Sequence, residues 1–476
     1  MNERRASDPL YWLLRFLFRL AFRVFFARIT VLHPERIPKG PLIFASNHPN
    51  DLIDPLLIGT IAPMRIDFVA KNTLFSVGPL GSIFRRFGVI PVYRREDADP
   101  EEIEAFMEKN KAMFETCRER LLRGGAIAMF PEGVSHRDPH VKQLKTGTAR
   151  IALESEASRG FRLGAMILPV GLSFSRWNRF RSEVLIRFGR PIQLSFFREL
   201  YEREPEEAVR RLTAAIEGGM RALTFHTEEA ELAALARAIH EIFSSRMVPI
   251  PVPPSRLYRE KEILEAIHYF QKTDPKWFLA FRDRIERYHN RLVGLGIRDR
   301  VMARKKSPLF PITLLLRELL IGLAGLPFFL FGVVNNYLPY RLPTIIAGRM
   351  RELDADGTVK FISGFLLFPL FYTSQTLGVG LLYGPRIALG YAISLPPTGL
   401  FAFRYWIWLR RSRNSLFLAL LHLTRRGLLR ELRVEREALI ADIERRQEIF
   451  LKARSKNNGK LEGSREKRRP AQKKEA

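Results

Sequence analysis

The run Ser46-Asn47-His48-Pro49-Asn50-Asp51-Leu52-Ile53-Asp54-Pro55 places a histidine just ahead of two carboxylates and directly after a short apolar stretch. A histidine beside a carboxylate is a general-base pair. The carboxylate fixes the ring tautomer and stabilises the imidazolium that forms when the ring takes a proton. An offset of six residues puts His48 and Asp54 about 120° apart on one ideal α-helix, so the pair works only with His48 in the turn before the helix. Pro49 favours that arrangement as a first helical residue. Asp51, expected in the first helical turn, is suited to accept free backbone N–H groups there. Asp54 precedes Pro55, which bends the chain at Asp54 and favours it as the partner of His48. The alternative reading is a helix-capping turn whose polar residues are structural.

Two further clusters carry usable chemistry. In Arg85-Arg86-Phe87-Gly88-Val89-Ile90-Pro91-Val92-Tyr93-Arg94-Arg95 the arginines bracket a short strand. They suit a bidentate grip on a phosphate from both ends, or a solvated basic edge. In Phe130-Pro131-Glu132-Gly133-Val134-Ser135-His136 a glutamate–glycine pair follows another strand, with Lys145 and Gly147 ahead of a helix. That pattern suits a binding turn or an ordinary strand-to-loop turn.

The elements that must position these clusters alternate. Ile29–Leu32, Leu42–Ala45, Ile66–Ala70, Val89–Val92, Ala126–Phe130, Ala165–Gly171 and Glu183–Phe188 read as short strands. Pro100–Arg123 and Thr146–Ser158 read as helices between them, which predicts an α/β domain with a largely parallel sheet flanked by helices. Residues 226–305 keep helical periodicity without strands and predict an accessory helical region. Residues 306–409 hold apolar segments, among them the uncharged stretches Leu319–Val334 (16 residues), Phe361–Gly384 (24) and Ile387–Phe403 (17). A bilayer core needs about 20 helical residues, so two or three transmembrane segments are expected. Pro396-Pro397 should break the third, making it re-entrant or a tight hairpin. Arg317 and Glu318 would lie at a membrane edge or face protein. Within residues 1–28, Pro9–Arg28 are strongly apolar, with Arg15, Arg19 and Arg23 in one stripe. They read as an interfacial helix with its arginines among headgroups, rather than a cleavable signal peptide, the other reading being a core helix. Residues 410–476 are basic. From Lys452 onward ten Lys or Arg face three acids, which predicts a disordered tether to anionic lipid.

With 78 Lys or Arg against 50 Asp or Glu the chain carries a formal charge of +28 over 476 residues. Such a surplus points to a polyanionic partner. A hydrophobic share of 46% excludes a disordered chain, and a single cysteine, Cys117, excludes an internal disulfide framework.

Taken in order, the clusters resemble the glycerolipid acyltransferase family. Its first block is Asn-His-x4-Asp. Asn47-His48 with Asp54 one residue further on is similar to the fungal glycerol-3-phosphate and dihydroxyacetone-phosphate branch, whose block ends His-x5-Asp-Pro. Gly88 to Arg94 resembles the second block and Phe130 to Gly133 the third. Val134-Ser135-His136 stands close to the Gly-Ser-His of the same branch. Ile167-Leu168-Pro169-Val170 resembles the fourth block. The likeness extends over about residues 30–200. It implies that 29–225 is an acyltransferase domain of a membrane-bound enzyme of phospholipid biosynthesis. His48 would be the general base and Asp54 its orienting partner. Arg94, Glu132, Gly133, Arg86, Lys145 and Asn47 would bind the acceptor. The implied reaction moves an acyl group from acyl-CoA or acyl-ACP, used as co-substrate, to glycerol-3-phosphate or dihydroxyacetone phosphate. Lysophosphatidate is the alternative acceptor, and a non-catalytic membrane scaffold the alternative of another class. No cofactor, metal or nucleic acid is implied. The expected partners are an anionic phospholipid membrane, the glycerophosphate acceptor and the thioester donor. Integral membrane insertion is expected, with the domain facing the cytoplasm. Cys117 lies outside all four blocks, which argues against a cysteine nucleophile.

Overall fold

Each apolar run read as a strand forms one in the computed structural model, which describes residues 9–72, 75, 88–93, 103–136, 141–176, 180–224, 230–243, 256–297, 299–302, 310–349 and 356–468. The chain divides into two compact units, Met1–Glu228 with Leu338–Phe371, and Glu229–Tyr337 with Tyr372–Ala476.

The first unit is built on one sheet. Its strands are β1 (Arg28–Leu32), β2 (Leu42–Ser46), β3 (Ile66–Lys71), β4 (Ile90–Val92), β5 (Ala126–Met129), β6 (Met166–Phe174), β7 (Glu183–Phe188) and β8 (Ile192–Gln193). Their order is β1-β7-β6-β2-β5-β3-β4, with β8 beside β6. From β6 through β2, β5 and β3 to β4 every pairing is parallel. β7 and β8 run antiparallel to β6, and β1 follows β7. The sheet is therefore mostly parallel with a reversed edge. The helices α1 (Pro9–Phe25), α2 (Ile53–Ile61), α3 (Ile103–Leu122), α4 (Gly147–Ala157), α5 (Arg198–Arg203) and α6 (Pro205–Leu223) complete this part of the chain. One apolar layer joins Ile43, Ile127 and Ile167 to α3, α4 and α6. The other joins Phe44, Ala128 and Leu168 to α1 and α2. Burial on both faces explains why these strands read as continuous apolar runs rather than alternating ones.

α1 packs one face into the core and leaves the other exposed. Phe22 and Phe26 are 1% exposed and belong to the core, whereas Leu10, Trp12, Leu13, Phe16, Leu20 and Val24 face outward. Arg19 and Arg23 are exposed. Arg15 departs from the expected headgroup stripe. Its guanidinium donates to the Thr60 and Ala62 carbonyls at the C-terminal end of α2, where a cation meets the negative end of the helix dipole.

The remaining chain is helical: α7 (Ala230–Phe243), α8 (Arg256–Thr273), α9 (Pro275–Gly294), α10 (Asp299–Met302), α11 (Phe310–Arg349), α12 (Asp356–Tyr383), α13 (Pro385–Thr424) and α14 (Arg426–Arg468). Among the described residues two stretches are long and apolar enough to cross a membrane, Leu316–Arg349 and Gly357–Tyr383. α13 continues through Pro396 and Pro397, where a break was expected. The Ser394 and Thr398 hydroxyls donate to the Tyr391 and Ser394 carbonyls over these turns. Glu318 faces protein and bonds the Ser412 hydroxyl. Within the second unit Tyr372 donates to Asn336 Oδ1 at 2.6 Å and Gln375 to the Asn335 carbonyl at 3.0 Å. α14 runs to Arg468, past the Lys452 where composition predicts disorder. Its Lys, Arg and Glu residues are good helix formers.

Candidate active site

Parallel pairing brings two of the three clusters together. β2 lies beside β5 in a register that sets Ala45 against Met129, so both chains leave the sheet side by side at their C-terminal ends. Open α/β sheets bind ligands at this edge. The turn after β5 is tied back to the turn after β2 by the His136 N–H, which donates to the His48 carbonyl at 3.2 Å. The Phe130 ring stacks on His48, with centroids 4.0 Å apart and planes inclined by 20°.

His48 lies before α2 and Asp54 in its first turn, the arrangement their spacing demands. His48 Nδ1 and Asp54 Oδ2 are 2.9 Å apart, and the Asn50 backbone N–H donates to the same Oδ2 at 2.7 Å. The Asp54 side chain is fully buried, while that of His48 keeps 18% exposure. Burial pushes the Asp54 carboxyl up to about 6, opposed by the His48 and Asn50 hydrogen bonds. Near neutral pH it is therefore a carboxylate. With the ring proton on Nδ1 and directed at Asp54, Nε2 holds the free lone pair. Asp51 differs from its expected place. It sits ahead of the helix in the left-handed region, φ 42°, and its N–H points at the Ser135 hydroxyl at 3.4 Å.

Glu132 is buried in the turn after β5. Its Oε2 accepts from the Lys142 backbone N–H at 2.8 Å and bonds His136 Nε2, while Oε1 has no hydrogen-bond partner among the described residues. Gly133 takes φ 73°, and a Cβ there would lie 2.7 Å from Lys145 Cε. The glycine thus lets the Lys145 chain lie across the turn, an arrangement fixed by the Lys145 N–H donating to the Pro131 carbonyl at 2.8 Å. Asn47 points elsewhere. Its amide nitrogen donates to the Leu172 carbonyl at 2.9 Å and its oxygen accepts from the Leu172 N–H at 2.7 Å. Those bonds extend the β2–β6 pairing by one side chain.

The second cluster reaches the same edge two strands beyond β5. Gly88, φ 78°, leads into β4, and a Cβ on it would collide with Asp67 Oδ1 at 1.8 Å. Asp67 is held by Arg120 at 3.0 Å. After β4, the Tyr93 backbone is clasped by the Asn110 amide, with its N–H donating at 3.0 Å and its carbonyl accepting at 2.6 Å. Arg94 and Arg86 lie outside the described residues. Among the described residues no three His, Cys, Asp or Glu side chains converge as metal ligands would. Cys117 is buried in α3, which pushes its thiol up to about 12 and leaves it a poor nucleophile.

Residues 28–173 match the family model described as acyltransferase. Those residues are similar to the acyltransferase family. Curated relatives agree. An uncharacterised acyltransferase of Schizosaccharomyces pombe is 30% identical over 39% of this chain and 27% of its own length. Glycerol-3-phosphate O-acyltransferase 2 of Saccharomyces cerevisiae is 24% identical over 56% of this chain and 38% of its own. The matched region thus spans well under half of each relative. A crystal structure of a 1-acyl-sn-glycerophosphate acyltransferase from Thermotoga maritima is 19% identical, with a TM-score of 0.31, over 44% of this chain and 77% of that one. Three contacts of this site had no signal in the linear pattern: the Phe130 ring on His48, the Asn50 N–H on Asp54 and the Ser135 hydroxyl beside Asp51. The first and last depend on β2 lying next to β5.

Proposed function

We propose that this chain transfers a fatty acyl group from acyl-CoA or acyl-ACP to glycerol-3-phosphate or dihydroxyacetone phosphate in a membrane. The observation that carries the reading is the His48–Asp54 pair, with one ring nitrogen held by a buried carboxylate and the other free to take a proton. Nε2 removes the proton of the acceptor hydroxyl as its oxygen attacks the thioester carbonyl. The C–S bond breaks, and the departing thiolate recovers the proton from the imidazolium. No acyl-enzyme is formed. Asp54 is a positioning residue that holds the ring and stabilises its charged form.

Arg94, Arg86 and Lys145 hold the acceptor phosphate, Arg94 by bidentate contacts. The Glu132 carboxylate cannot itself grip a phosphate. Its unpaired Oε1 suits an acceptor hydroxyl, and Gly133 keeps room for Lys145 beside it. Asn47 holds the backbone on which the site rests, which is how it serves binding. The reaction needs no metal or cofactor, because the thioester is already activated. The domain faces the cytoplasm and an anionic membrane surface, as the charge of +28 favours.

Release of thiol by purified membranes, offered glycerol-3-phosphate, dihydroxyacetone phosphate and lysophosphatidate side by side, tests the reading. The first two should stimulate release. Stimulation by lysophosphatidate alone would assign the second acylation instead. Release by none, with His48→Ala indistinguishable from wild type, would leave a membrane scaffold.

A further inference from the structure

The turn that carries the catalytic pair is irregular. Asp51 is in the left-handed region, which costs a non-glycine residue strain that surrounding contacts must balance. Asn50, 1% exposed, stands at the centre of that turn: its N–H reaches Asp54. Its carbonyl accepts from the Thr358 hydroxyl at 3.2 Å. Thr358 is 6% exposed and lies in the first turn of α12, the helix whose apolar run Gly357–Tyr383 is long enough to cross a membrane. One turn further on, Phe361 stacks on Phe22 of α1 at 4.6 Å between centroids, and Phe365 on Phe18 at 5.0 Å. The start of α12 is thus fixed to the same body that holds the site, and the Thr358 hydroxyl there is aimed at the turn.

We propose that Thr358 is a positioning residue for acyl transfer: by pinning Asn50 it fixes the N–H that Asp54 accepts, and so couples an apolar, membrane-length helix to the orientation of His48. The contacts run Thr358 to Asn50, Asn50 to Asp54 and Asp54 to His48 at 3.2, 2.7 and 2.9 Å. The inference rests on the acyl-transfer reading above. His48 and Asp51 are the titratable groups that act on Asp54. A loosened turn weakens the Asn50 hydrogen bond to the carboxylate, so the pair takes up its proton at higher pH.

The test uses the full-length chain in membranes, comparing wild type, Thr358→Val and Thr358→Ser. Valine keeps the shape and removes the hydroxyl, whereas serine keeps the hydroxyl. Thr358→Val should lower kcat about threefold to tenfold, the rate equivalent of one hydrogen bond, with the thioester KM unchanged and the acid limb moved to higher pH. Thr358→Ser should return both toward wild type. An active wild type with Thr358→Val matching it in kcat and acid limb overturns the coupling, as does equal loss in the serine variant. A second readout needs no turnover: the pH midpoint of His48 carbethoxylation by diethylpyrocarbonate, read by peptide mass. It should rise in Thr358→Val only, and equal midpoints in all three proteins overturn the inference even where the acyl-transfer reading itself has failed.

Discussion

At the scale of single residues the account turns on Asp54, whose burial serves catalysis at the expense of stability. Its carboxyl is raised to about 6 from an ordinary value of 3.8. Between those values the folded chain holds a proton that the unfolded chain has released. The stability Asp54 contributes is therefore full below about 4 and lost as pH rises through about 6. Activity runs the other way, because only the carboxylate orients His48. The pH profile of kcat/KM should show an acid limb with an apparent pKa near 6, belonging to the pair rather than to either residue. A profile flat from pH 5 to 8 would remove the pair from the reaction. The His48→Ala, Asp54→Asn double variant should be hardly slower than either single one, since the two act as a unit. Gly133→Ala combines a left-handed backbone with a Cβ 2.7 Å from Lys145, and thermal unfolding should show a loss of about 1–2 kcal/mol. The His48–Asp54 relation was legible because an offset of six residues admits few geometries. Thr358 was not, since nothing in the local sequence marks a threonine that reaches Asn50 only after folding.

At the scale of elements, the apolar runs located the strands to within a few residues, because two-sided burial demands continuous apolar segments. They did not disclose that β7, with β1 parallel beside it, runs against β6. An apolar run has no direction; the link from Phe174 to Glu183, too short for a crossover helix, is what reverses β7. α1 was divided between membrane and core because an amphipathic helix with aromatics on two faces fits both; here one face packs in the core and the other stays exposed. Asn47 shows how a motif residue can be read at the wrong scale. Its type and place suggest ligand contact, whereas its amide is spent on both backbone groups of Leu172. Asn47→Ala should lower thermal stability by about 1–3 kcal/mol, the cost of two backbone groups left without partners. The acceptor KM of the folded fraction should change little. A large rise in acceptor KM with unchanged stability would return Asn47 to the ligand.

At the scale of the whole molecule, the helices before and after the apolar region constrain how often the chain crosses a bilayer. Within the second unit Arg291 of α9 pairs with Glu431 and Glu435 of α14 at 2.8 Å each, and Arg284 with Asp442 at 2.9 Å. Arg436, 2% exposed, is held by Asp299 at 2.9 Å. Segments that pair in this way would lie on one side of any bilayer the apolar helices cross, which favours an even number of crossings between residues 302 and 426. This agrees with two full spans better than three. Single cysteines introduced at exposed sites on α9 and α14 should react with an impermeant maleimide from the same side, against a quiet background from buried Cys117. Labelling from opposite sides would break the argument. The claim on which everything else depends is that this chain moves an acyl group through the buried pair. Acceptor-dependent thiol release, measured on membranes holding equal amounts of folded wild type, Asp54→Asn and Asp51→Asn, tests it most directly. The account predicts release in wild type, a loss of about 10²–10⁴ in kcat for Asp54→Asn and less than about tenfold for Asp51→Asn. An active Asp54→Asn protein beside a folded but inactive Asp51→Asn protein would contradict it.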